Sequence, residues 1–122
     1  MKIAGREIGS GQPPYVVAEI SGNHLGSLDE ARTLIRAARL AGADAVKFQA
    51  YTAATITLDC DSPDFIVKDG PWKGRKLHEL YSNAQTPFEW FPELFEVAKS
   101  HGITAFASVF GRESVDLLEE LN

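Results

Sequence analysis

Cysteine is nearly absent: Cys60 is the only one in the sequence. One thiol excludes an internal disulfide framework. Cys60 stands between Asp59 and Asp61, and neighbouring carboxylates raise a thiol pKa, so it reads as an unreactive loop thiol. Long apolar runs are also missing. None approaches the ~18 residues of a membrane span. Met1-Lys2-Ile3-Ala4-Gly5-Arg6 carries a basic residue with no apolar stretch behind it, which is not the pattern of a secretory signal. Positive charge is in short supply: 12 Lys and Arg face 17 Asp and Glu, for a formal net charge of −5. The signs are interspersed, so neither a nucleic-acid groove nor a polybasic membrane patch is expected. The three histidines, His24, His78 and His101, lack metal-ligand spacing. His101 reads as a residue at a helix C-terminus and His78 as a surface residue. These absences lead to the expectation of a cytoplasmic protein with no nucleic-acid or membrane partner.

What is present is an ordinary soluble composition, 44% hydrophobic and 24% charged over 122 residues, enough for one small domain. Residues 1–8 read as a short hairpin, followed by a breaker-rich link over 9–14. Residues 15–20, Tyr-Val-Val-Ala-Glu-Ile, have the pattern of a strand covered on both faces. Ser27 and Glu30 form a capping box. Leu28, Ala31, Leu34, Ile35 and Ala38 then recur at helical spacing, and Gly42 ends the helix. Residues 44–50 are a second strand. An excursion over 51–85 is mostly loop, with a short helix expected over 76–84. It carries Phe65, Trp72 and Tyr81, which argues against disorder. Thr86 and Glu89 form a second capping box with Pro87 at the first helical position. Pro92 predicts a break and a main helix over 92–101, closed by Gly102. Residues 104–110 are a third strand. Residues 112–121 are a third helix with Val115, Leu118 and Leu121 inward.

The order β-α-β-α-β-α implies a parallel sheet with helices outside. It fits either a small open sheet or the first part of a (β/α)8 barrel, which typically needs ~250 residues. Alternation along the strands places Glu19, then Lys47 and Gln49, then Ser108 on one face. Val16, Ala18, Ile20, Val46, Phe48 and Ala50, with Ala105, Ala107 and Val109, take the other. Polar side chains gathered at the carboxyl ends of neighbouring strands are the pattern of an active-site mouth. Asn23 and His24 follow in the first loop. The plainer reading is a Glu19–Lys47 ion pair that fixes strand register and adds little stability.

Ala18-Glu19-Ile20-Ser21-Gly22-Asn23-His24 with Gly26-Ser27, then Ala41-Gly42-Ala43-Asp44-Ala45-Val46-Lys47-Phe48-Gln49, resemble the sialic acid synthase family. The loop segments Thr57 to Phe65 and Gly70-Pro71-Trp72-Lys73-Gly74-Arg75, with Thr86-Pro87-Phe88-Glu89-Trp90, resemble its pseudaminic acid synthase branch. Val109 departs from that family, which usually has Pro after the strand-three Ser or Thr.

The resemblance implies a (β/α)8 barrel preceded by the hairpin, with a long loop after strand two. Residues 1–122 are then its N-terminal portion. The rest of the barrel and an antifreeze-like C-terminal domain are expected beyond it. The implied reaction condenses phosphoenolpyruvate with a 2,4-diacetamido-2,4,6-trideoxy-altrose and releases phosphate. A divalent metal, Mn or Mg, is implied with ligands outside this chain, as is a homodimer of the full-length protein. By the same resemblance Glu19 and Lys47 are catalytic. Gln49, Ser108, Asn23, His24, Trp72 and Arg75 bind substrate. The chain alone is expected to be inactive. A sialic acid synthase or polysaccharide-biosynthesis homologue is the alternative within the family. A non-catalytic α/β module that binds a sugar or a partner is the alternative from another class.

Overall fold

The computed structural model describes residues 1–121. Asn122, the last residue of the expected domain, lies outside them. The chain opens with strands β1 (Lys2–Ile3) and β2 (Arg6–Glu7), paired antiparallel. Ala4 and Gly5 between them both have positive φ, 47° and 81°, as a two-residue primed turn requires. Arg6 then leaves the hairpin and pairs with Asp44, while its other nitrogen donates to the carbonyls of Pro13 and Pro14 at 3.2 and 2.8 Å. Asp44 Oδ2 also accepts from the Val16 amide at 2.7 Å. That amide, and then Arg6, hold the Asp44 carboxyl below its ordinary value against a smaller opposing effect of burial.

The main sheet holds β3 (Val17–Glu19), β4 (Ala45–Ala50) and β5 (Thr104–Val109), all parallel, with β4 in the middle. Helix α1 (Leu28–Leu40) connects β3 to β4. Ser27 caps it by accepting from the Glu30 amide at 3.3 Å. Gly42, at φ 89°, lets the chain turn so that the Ala43 amide closes on the Ala38 carbonyl at 3.0 Å. After β4 come the short helix α2 (Ala53–Ile56), a 3₁₀ turn at Pro63–Phe65, and helix α3 (Leu77–Ala84). A 3₁₀ turn at Phe88–Trp90 runs directly into α4 (Phe91–Ser100), with Pro92 in its first turn. Helix α5 (Arg112–Glu120) follows β5.

Helices α1 and α4 cover one face of the sheet. Ile35, Phe91, Leu94 and Ala98 are fully buried against Val46, Phe48 and Ala50. Phe48 meets Phe91 edge-on at 6.1 Å between ring centres, a favoured aromatic geometry. Arg32 of α1 ties the two helices on the outside through Glu93 of α4, and pairs with Asp29 within α1. Among the described residues, no helix covers the opposite face, where Val17 and Phe106 are each 40% exposed.

The structure corrects three expectations. Thr86 caps nothing; it is buried, and its hydroxyl meets the His24 ring at 3.0 Å, because a buried imidazole nitrogen needs a partner more than an exposed helix end does. Val16 and Val109, expected under the helices, are half-exposed at the strand ends that the helices do not reach. Val115 points outward. Ser114 takes its place facing the core, where its oxygen accepts from the Phe110 and Gly111 amides, each at 3.2 Å. Leu117, Leu118 and Leu121 pack on the core.

These positions predict very different costs. Leu94→Ala should lose about 2–5 kcal/mol and Val115→Ala less than about 0.5 kcal/mol, read from urea unfolding midpoints. Equal losses would mean that α5 turns Val115 into the core.

Candidate functional site

The register across the sheet sets the site. Glu19 lies opposite Lys47, and Gln49 opposite Ser108, on the uncovered face. Lys47 Nζ reaches Glu19 Oε2 at 2.5 Å, and Ser21 Oγ donates to Glu19 Oε1 at 2.8 Å. Both carboxylate oxygens are therefore engaged. The pair remains open, with the Lys47 and Glu19 side chains 32% and 41% exposed. A pair this solvated contributes roughly 0–1 kcal/mol, so fold stability is a weak reason for it. An ammonium and a carboxylate held on an accessible surface can bind an anion and handle a proton or positive charge.

The loop after β3 begins at Ser21 (φ 47°) and continues through Leu25 and Gly26, both also at positive φ. Gly22 passes so close to α3 that an added Cβ would sit 2.5 Å from the Ala84 carbonyl oxygen. His24 turns down beneath this loop and is completely buried. Its Nδ1 accepts from the Gly26 amide at 3.1 Å, which places the ring proton on Nε2, and Nε2 donates to Thr86 Oγ1 at 3.0 Å. Trp90 meets the ring edge-on at 5.5 Å. With both nitrogens occupied and the ring buried, His24 is a tie between the first loop and the segment before α4, not a group facing the open surface.

A cavity of about 580 Å³ opens beside the Glu19–Lys47 pair. Four of the expected residues meet there: Asn23 from the first loop, Gln49 from β4, and Trp72 and Arg75 from the excursion. Glu19, Lys47 and Ser108 lie on the adjoining open face and do not line the cavity. The excursion is ordered by backbone bonds. Val67 and Arg75 pair at 3.0 Å, the Gly74 amide reaches Val67 at 2.9 Å, and Ile66 bridges Lys76. Lys76 binds Asp61 and Asp59 at 2.7 and 3.2 Å, which raises its pKa.

Tyr51, Leu77, Leu80, Tyr81 and Asn83 also line the cavity and were not singled out from the sequence as site residues. Tyr51 had a legible signal: alternation from Lys47 through Gln49 carries on to it. Tyr51 is 4% exposed and meets Tyr81 edge-on at 6.0 Å. Among the described residues, no three His, Cys, Asp or Glu side chains converge to hold a metal ion. The divalent metal implied by the resemblance was expected to take its ligands from outside this chain. Nor, among the described residues, is any helix long and apolar enough to cross a membrane.

Burial lowers the pKa of His24 from its ordinary 6.5. The unfolded chain therefore takes up this proton before the folded one does. The stabilising contribution is complete above about pH 6.5 and falls away below it, toward the lowered native value. Thermal unfolding of the wild type should show a falling midpoint as pH drops from 7 toward 5. His24→Gln should lower the midpoint at pH 7 and flatten that slope. An unchanged slope would assign the loss to other groups.

The NeuB family model matches residues 34–122, a span that includes Lys47, Gln49, Trp72, Arg75 and Ser108. The pseudaminic acid synthase of Campylobacter jejuni serotype O:2 is 48% identical over 108 residues, covering 88% of this chain and 32% of that protein. The pseudaminic acid synthase of Helicobacter pylori is 42% identical over 111 residues, covering 91% and 33%. The chain thus spans about a third of the length of these curated relatives. Among solved structures, the N-acetylneuraminic acid synthetase of Leptospira borgpetersenii superposes with a TM-score of 0.79 at 25% identity, over all of this chain and 38% of that one. The three parallel βα units are accordingly the N-terminal part of a TIM-barrel fold, and the chain belongs to the NeuB family.

Proposed function

We propose that the chain is the first part of an enzyme that condenses phosphoenolpyruvate with 2,4-diacetamido-2,4,6-trideoxy-altrose to give pseudaminic acid and phosphate. The observation that carries this reading is the open Glu19–Lys47 pair beside a cavity walled by Trp72 and Arg75. Support for the sugar comes from the relatives, three of which are pseudaminic acid synthases. Residues 1–122 are read as a portion of one barrel domain. The exposed Val17 and Phe106 on the sheet's inner face are surface that further strands of a barrel would cover.

In this mechanism Lys47 holds the phosphate or carboxylate of phosphoenolpyruvate as a point charge. Gln49 and Ser108, paired across the strands, supply neutral hydrogen bonds. The enol C3 forms a bond to the aldehyde carbon, and the aldehyde oxygen takes a proton. C2 becomes cationic and adds water. The water's proton leaves, and the tetrahedral centre expels phosphate to give the 2-keto acid. Glu19 stands beside C2, where a carboxylate stabilises the positive charge or takes the water's proton. Asn23, Trp72 and Arg75 receive the sugar. His24 acts through the loop it anchors, as a positioning residue.

Phosphate release from phosphoenolpyruvate, the altrose substrate and Mn²⁺ tests the reading, on this chain and on one extended to the relatives' length. Release by the extended protein alone is expected. Within it, Glu19→Gln and Lys47→Ala should each lower turnover by about 100-fold or more, with the thermal midpoint little changed. No release from the extended, folded protein would sink the assignment. Near-normal turnover in either variant would remove that residue from it.

A further inference from the structure

Tyr51 is the one buried residue of the described cavity lining. It follows β4 directly and continues the face that carries Lys47 and Gln49. Two rings meet it edge-on, Tyr81 of α3 at 6.0 Å and Phe110 after β5 at 5.8 Å. The excursion and the third strand thus fix the Tyr51 ring together. Its hydroxyl, by contrast, makes no hydrogen bond among the described residues. Every fully buried side-chain nitrogen and oxygen of those residues has a partner. The hydroxyl therefore keeps the little exposure that Tyr51 has, and the cavity is the open space that Tyr51 borders. Burial, and then the Tyr81 phenol, raise the Tyr51 pKa above its ordinary 10.0. The group stays protonated at neutral pH, a donor to which the fold supplies no acceptor.

A ligand that fills the cavity displaces water from this hydroxyl. It must then present an acceptor there or leave a buried donor unpaired, which costs affinity. Because the flanking rings already hold the phenol in place, little side-chain freedom is lost when the bond forms. Resting on the functional reading above for the identity of the ligand, we propose that Tyr51 is a further substrate-binding residue: its hydroxyl donates to an acceptor oxygen of the sugar and sets how the sugar stands relative to Lys47 on the same strand. Gln49 lies between Tyr51 and Lys47, so the acceptor is a hydroxyl or acetamido oxygen remote from the reacting aldehyde. The bond is then equally strong before and during condensation. Its loss raises KM and spares kcat, unlike the losses expected at Glu19 and Lys47.

Tyr51→Phe removes the oxygen and keeps both ring contacts. The test uses the protein extended to the relatives' length. The thermal midpoint should match the wild type's, because the hydroxyl has no partner in the fold to lose. Calorimetric titration with the altrose substrate should show binding weaker by about five- to tenfold, the scale of one neutral hydrogen bond. In turnover, KM for the sugar should rise by the same factor, with kcat and KM for phosphoenolpyruvate within about twofold of wild type. A sugar affinity within about twofold of wild type, or a fall in kcat with KM unmoved, would overturn the assignment. Condensation by the wild type with sugar KM unmoved in Tyr51→Phe would overturn this assignment alone. Weaker sugar binding by Tyr51→Phe, without condensation by the wild type, would overturn the functional reading alone.

Discussion

Glu19, Lys47 and Phe106 stand at one level across three parallel strands. Side chains alternate between the faces of a strand, so a slip of one residue would turn Lys47 into the space held by Ile35 and Phe91 and bring Phe48 onto the open face. The hydrophobic cost of that exchange pins the pairing. Everything proposed for the site depends on it, because the register is what brings an ammonium, a carboxylate, an amide and a hydroxyl to the same accessible surface.

Further contacts reinforce the register at both ends of the β3–β4 pairing. At the entry, Asp44 binds the Val16 amide and Arg6 together, so the N-terminal hairpin and the start of β4 are clamped to the chain leading into β3. At the exit, the Lys47 carbonyl accepts from the Ile20 amide at 2.9 Å and the Ser21 amide at 3.4 Å. The chain then bends into the left-handed region at Ser21, which brings the Ser21 hydroxyl back onto Glu19. The backbone that ends the strand thus orients the carboxylate. Farther along the loop, His24 and Gly22 fasten it to the Thr86 segment and to α3, and this contact forms one wall of the cavity.

Features with a short period were legible from the sequence. Alternation placed Glu19, Lys47, Gln49 and Ser108 on one face, and the pairing agrees. Ser27 capped the helix it was expected to cap, and Gly42 ended it. The failures come from contacts between distant parts of the chain. Thr86 and Glu89 look locally like a capping box, yet the hydroxyl is claimed by a ring 62 residues away. Val115 and Ser114 both fit a helical stripe, and apolarity favoured the valine. The structure favours the serine because its oxygen serves two backbone amides at the start of α5. The cavity was half visible: Trp72 and Arg75 came from resemblance, while the wall of Leu77 and Leu80 depends on how α3 folds back against the first loop.

The mouth of the sheet therefore joins a charged pair on the strands to a cavity walled by the excursion. Each cation is paired and partly exposed, Lys47 with Glu19 across the strands and Arg75 with Glu79 along the excursion. The most direct measurement is the position of phosphoenolpyruvate in a crystal structure of the protein extended to the length of its relatives. A phosphate or carboxylate oxygen within hydrogen-bonding distance of Lys47 Nζ, on the inner face of the sheet, is the result expected. Phosphoenolpyruvate bound elsewhere, with Lys47 still closed on Glu19, would contradict it.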